Sequence, residues 1–223
     1  MLQHMMRSLL LGASLLLAIV PLSASAHPHV WVTYETTVVY DKGTITGLDQ
    51  VWTFDDMYTV MAIEGLDKNN DGIYSRDELA ELAKVNMEGL KDFDYFTYAN
   101  LGTGALKFAL PQNPWLEHTK GILRLHFHLP LAAPVLAGAE GFTFSIYDPS
   151  FFIAFEPEKT GAVKLASGAP KGCKIGFREP NADANSDELK AKLLDDAFAQ
   201  QLGQTTNIGS GFTKTAIVTC AKS

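Results

Sequence analysis

The sequence has no apolar run long enough to cross a bilayer, which takes about 20 residues. Its longest, LLLGASLLLAIV, occupies only 9–20. There are two cysteines, Cys173 and Cys220, and no CxxC spacing. There is also no cluster of Lys or Arg, no internal repeat, no low-complexity tract and no repeated βαβ pattern. Neither G-x-S-x-G nor HExxH occurs. These absences argue against a membrane-spanning helix, a thiolate metal site, a nucleic-acid interface and the motif-borne serine or zinc hydrolases.

The short apolar run instead reads as the core of a secretory signal. It follows Arg7 and leads through Pro21 to Ala24-Ser25-Ala26, an A-x-A cleavage pattern. Residues 1–26 are then removed, and 197 of the 223 residues remain as one exported, periplasmic domain over 27–223 with no stable membrane insertion. Losing Arg7 leaves 17 Lys and Arg against 25 Asp and Glu, a net charge of −8. Such acidity disfavours nucleic acid and anionic lipid as partners and suits a protein that holds cations. In an oxidising compartment Cys173 and Cys220 are expected to pair, and closing so long a loop stabilises by about 4 kcal/mol on the chain-entropy model.

Residues 29–40 (HVWVTYETTVVY) and 44–54 are rich in Val, Thr, Tyr and Trp around an Asp41-Lys42-Gly43 turn, a hairpin pattern. Helical spacing takes over at 56–66 and 76–90, with Leu79, Leu82 and Val85 or Asn86 along one stripe. Strand-like runs return at 93–99, 105–110, 122–129, 142–147 and 151–155, with shorter ones at 163–165, 175–177 and 216–219. A last helix is expected from Ser186, a good N-cap, to Gly203. The expected class is α+β: a mostly antiparallel β domain with an EF-hand-like helix-loop-helix inserted at about 55–91 and a late helix.

The most specific motif is DKNNDGIYSRDE at 67–78, which fits D-x-[DN]-x-[DN]-G-x5-E. Calcium needs six to eight oxygens. Asp67, Asn69 and Asp71 supply the early ones, the Ile73 carbonyl and Ser75 the middle ones, and Glu78 closes the shell. Gly72 makes the turn. A single hand with three charged ligands in an exported protein suggests a structural Ca2+ held at roughly 10⁻⁴ to 10⁻³ M.

Four of the remaining histidines form two H-x-H pairs, His27/His29 and His126/His128. Residues two apart on a strand share a face, so each pair could chelate one ion. In ILRLHFHL the leucines and Phe127 point one way and the histidines the other. Neutral imidazole suits Zn2+, Ni2+, Co2+ or Cu2+. Cleavage after Ala26 would free the α-amine of His27 as a further nitrogen ligand. Pro28, lacking an N–H, rules out a deprotonated-amide chelate and leaves a histidine brace open. Asp148, in YDPSFF, is a candidate carboxylate ligand or a turn cap. His118 reads as an ordinary surface residue.

Together HPHVWV, WTFDDMY, the acidic loop, LHFHL and YDPSFF resemble an uncharacterised bacterial family labelled as the periplasmic component of an ABC-type transport system. Its members are often linked to nickel/cobalt- or zinc-type permeases, so the resemblance implies metal handling beside a membrane transporter. The expectation is a non-enzymatic accessory protein that gathers a transition ion through His27, His29, His126, His128 and Asp148. Two alternatives are a copper-brace or zinc enzyme and a calcium-dependent interaction module.

Overall fold

The structure, a computed structural model, describes residues 29–180 and 209–221. His27, Pro28, the expected signal and the helix expected over 186–203 lie outside the described residues.

Strict alternation builds the central hairpin. Along β1 (Val30–Asp41), Val30, Val32, Tyr34, Thr36, Val38 and Tyr40 are buried, and the residues between them face outward. β2 (Thr44–Phe54) returns antiparallel to it. The first sheet runs β5 (Gln112–Thr119), β6 (Ile122–Leu136), β2, β1, β8 (Ile153–Pro157), with β9 (Val163–Leu165) also on β1. The second runs β10 (Lys174–Arg178), β11 (Thr215–Thr219), β7 (Phe142–Ile146), β3 (Thr97–Leu101), β4 (Gly104–Leu106). Only β8 and β9 lie parallel to a neighbour, so the mostly antiparallel α+β class stands.

The long first sheet serves two cores. One half, with Val32, Trp52, Leu125 and Phe127, packs under α1 (Asp56–Ile63), α2 (Ala80–Leu90) and a 3-10 segment (Lys91–Phe96). The other half, with Val38, Ile45 and Leu48, packs against Phe142, Phe144 and Val218 of the second sheet. Thr36 and Gln50 sit at the seam, where the buried threonine hydroxyl donates to Gln50 Oε1 at 2.7 Å. The Cys173–Cys220 disulfide joins the ends of β10 and β11, beside the Lys174–Thr219 pair.

Several local expectations shift. α1 stops at Ile63 rather than running to 66. α2 begins at Ala80 rather than at 76, because the Glu78 carboxylate folds back onto Ser75 and Lys68. Its buried stripe is Leu79, Ala83 and Met87, and Val85 is exposed. The run at 93–99 is a strand only from Thr97. Asp94, Tyr95 and Phe96 all take positive φ, which swings Tyr95 and Phe96 into the core. β5 carries Pro114, and an edge strand tolerates a missing N–H.

Candidate functional site

The first functional segment lies where β1 begins. Asp55 caps α1, its Oδ1 accepting from Tyr58 N at 2.8 Å while Oδ2 accepts from Trp31 N at 2.8 Å. One carboxylate therefore fixes both a helix start and a strand start. His29 N donates to Phe152 O at 2.9 Å, and the two rings lie 4.5 Å apart. This brings His29 beside the YDPSFF loop. Asp148 is 4 % exposed, and the loop itself uses its carboxylate. Oδ1 accepts from Ser150 N at 2.8 Å and Ser150 Oγ at 2.7 Å, and Oδ2 accepts from Ile153 N at 3.0 Å. Of its two sequence readings, Asp148 occupies the turn-capping one.

His126 and His128 lie on the outer face of β6, opposite Leu125, Phe127 and Leu129, as the alternation requires. Each ring is held by a carboxylate on a neighbouring strand. His128 Nδ1 lies 2.6 Å from Asp49 Oδ1, its register partner on β2. His126 Nε2 lies 3.2 Å from Glu117 Oε1 on β5, and its ring stacks on Trp115 with centroids 3.9 Å apart. Such contacts fix ring orientation and leave His128 Nε2 and His126 Nδ1 as the remaining nitrogens. Burial pushes the His126 imidazole below its usual range, with Glu117 pulling the other way and Arg124 and Arg76 adding to the depression. A neutral imidazole is the ligand-competent form. Asp49, Asn113, Trp115, His126 and His128 border a recess of about 260 Å³. Gly47 is required beside it, since a Cβ there would stand 2.9 Å from His128 Cε1 and 2.7 Å from Leu129 O.

Among the described residues, His29 does not converge with His126 and His128. In the register, His126 faces Val51, and Val51 faces Glu35, six positions beyond His29 on β1. At about 3.3 Å per residue that is roughly 20 Å along the sheet, with two strand spacings across it. His29 precedes β1, whereas His126 and His128 lie level with its middle, on the outer face. Of the set expected around one ion, His29 lies beside the Asp148 loop and apart from His126 and His128, while His27 lies outside the described residues. Among the described residues, no three His, Cys, Asp or Glu side chains gather as a ready-made metal cluster.

In the acidic loop, Asp67 Oδ1 and Oδ2 accept from the N–H groups of Asp71 (3.2 Å) and Gly72 (2.9 Å), and Asn69 Oδ1 accepts from Asp71 N (3.0 Å). Gly72 takes φ +77°, open only to glycine at little cost. The Ser75 hydroxyl first, then the Ser75 and Lys68 N–H groups, hold the Glu78 carboxyl below the usual carboxylate range. The all-oxygen donor set fits Ca2+. The loop also reaches the histidine patch. The Arg76 guanidinium stands over the Trp115 ring at 4.3 Å, and Trp115 in turn stacks on His126. Tyr74 meets His118 edge-on at 4.9 Å, so His118 is a docking point for the loop rather than a free surface residue.

Sequence reading missed Asp49, Trp115, Glu117 and Arg76. Strand register brings Asp49, Trp115 and Glu117 to the histidines and the acidic loop brings Arg76, although alternation in β2 already marks Asp49 as outward-facing.

Fold and site together define an α+β protein whose long sheet carries a carboxylate-held histidine pair and an adjoining acidic loop. The chain belongs to the DUF1007 family, described as a protein of unknown function, whose model matches residues 12–220. It is similar to an uncharacterized protein of Haemophilus influenzae, 25% identical over 197 residues that cover 87% of this chain and 91% of the relative. It is also 30% identical over 99 residues to an uncharacterized 15.5 kDa protein in the trpE 3' region of Spirochaeta aurantia, covering 44% of this chain and 70% of that protein.

Proposed function

We propose that this chain is an exported, periplasmic metal-binding accessory protein. It takes a divalent transition ion, Zn2+ or Ni2+/Co2+, at His126 and His128 and passes it to a membrane transporter, with Ca2+ in the loop over 67–78. The observation that carries this reading is the pair of imidazoles two positions apart on one face, each held from behind by a carboxylate, Asp49 or Glu117. This carboxylate–histidine pairing is the usual support of a metal-binding ring. The transporter enters from the resemblance of HPHVWV, LHFHL and YDPSFF to a family linked to metal permeases. His29 stands apart from this ligand set, and His27 awaits a separate test with the correctly processed chain.

A second reading, the calcium-dependent interaction module, has its own observation. Met57, Val60 and Met61 of α1, beside the loop, are 60–67% exposed. Calcium binding to a helix-loop-helix can reposition such a face.

The deciding experiment is calorimetric titration of the metal-free chain with Zn2+, Ni2+, Co2+ and Cu2+ in competition, followed by Ca2+. We expect one transition-ion site that disappears in the His126→Ala/His128→Ala double variant and survives His29→Ala. Asp49→Ala should weaken it about 10- to 100-fold. Glu78→Gln should remove only the calcium heat. Transition-ion binding that ignores the double variant overturns the reading, and partner capture that needs calcium alone favours the module.

A further inference from the structure

An apolar recess among the described residues lies away from the histidine patch and the acidic loop. It has a volume of about 600 Å³ and sits between α2, the 3-10 segment and the YDPSFF loop. Val85, Leu90, Phe93, Phe96, Phe152 and Ile153 form its apolar wall. Val85, Phe93 and Phe152 are each about half exposed, at 53%, 55% and 45%, so these rings face an open recess rather than a closed core. The volume falls within the range of small-molecule sites.

Three polar side chains, Asn86, Asp148 and Ser150, also line the recess. The Asn86 Nδ2 group is buried without any hydrogen-bond acceptor. Asp148, at 4% exposure, is the only charged side chain lining the recess. Its three hydrogen bonds come from neutral donors, two on Oδ1 and one on Oδ2, so a lone pair remains on Oδ2. No cationic side chain among the described residues pairs with it. A buried carboxylate without a counter-charge disfavours an anion in the recess, and phenyl faces attract a cation.

We propose that this recess binds a small organic amine: a protonated amino group against Asp148 Oδ2 and an apolar body among the Phe93, Phe96 and Phe152 rings. The site is independent of the metal reading and shares no residue with the His126/His128 patch or the acidic loop. Gly89 lines the recess, and a Cβ added there meets nothing within 4 Å, so a larger side chain fills the recess without disturbing the helix.

The test uses L-phenylalaninamide, which carries the ammonium and the apolar ring, and its N-acetyl derivative, which lacks the charge. Both are titrated into the full chain and followed by the amide resonances of Asn86, Phe93, Phe152 and Ile153. The expected result is saturable binding of the amine, at least about tenfold weaker for the acetylated compound and for Asp148→Asn, as fits a lost charge-assisted contact. Gly89→Leu should abolish binding while leaving the melting temperature undiminished, since leucine is the better helix former. That variant keeps the test intact if Asp148→Asn loosens the loop. Absence of saturable shifts with the amine, equal binding of the acetylated compound, or undiminished binding to Gly89→Leu overturns the proposal.

Discussion

At the scale of single residues, the histidine patch is a balance between burial and charge. Burial lowers the His126 proton affinity in the fold relative to the unfolded chain, and Glu117 opposes it only in part. The unfolded chain therefore binds more protons, and stability rises with pH across this titration. The penalty sets in as pH falls through the ordinary histidine range near 6.5 and is complete below the folded value. Thermal melts between pH 7.5 and 5 should show a falling melting temperature, and His126→Gln should flatten that component. An unchanged slope in the variant would show that some other group sets the acid limb. The outward placement of His126 and His128 was legible in ILRLHFHL, because alternation is local. Their carboxylate partners were not, because register is fixed by long-range pairing.

At the scale of elements, the start of the long sheet and the start of α1 hang on Asp55, which accepts from Trp31 N and Tyr58 N. Asp55→Ala should cost about 1–2 kcal/mol of unfolding free energy in urea, the range for a lost N-cap. Asp55→Asn should recover most of it. The β1–β2 hairpin was readable from its β-branched alternation and turn. The 93–99 run was misread as continuous strand because its apolar residues suit either state. Only the tertiary packing of Tyr95 and Phe96 explains three successive positive φ values. β5 escaped notice for the opposite reason: Pro114 and few apolar residues hide a strand that succeeds only at an edge. The tight turn of the acidic loop at Gly72 was legible, since its Asp/Asn/Gly spacing lies within one short segment.

At the scale of the whole molecule, two cores lean on one sheet and meet at the Thr36–Gln50 seam. The pairing of Cys173 with Cys220 was foreseeable from their number alone. Which strands they would tie together was not. The bond spans 47 residues, so reduction should lower unfolding stability by about 2–4 kcal/mol, measured by urea denaturation with and without dithiothreitol. Equal midpoints would show that the second sheet holds without it. The meeting expected of His29 with His126 and His128 failed at this same scale. Shared facing is a property of each strand, whereas distance along the sheet depends on how the strands are staggered.

Arg76 over Trp115 over His126 makes a column of three flat groups from the acidic segment to the imidazole. An ion that reshapes that segment moves the guanidinium, and with it the charge acting on His126. With calcium in the loop, as proposed above, linkage would work in both directions: its occupancy and imidazole protonation would influence each other by the same free energy. Nuclear magnetic resonance of the His126 ring, titrated with acid in the presence and absence of calcium, should give two displaced midpoints. Superimposable curves would mean the column transmits nothing.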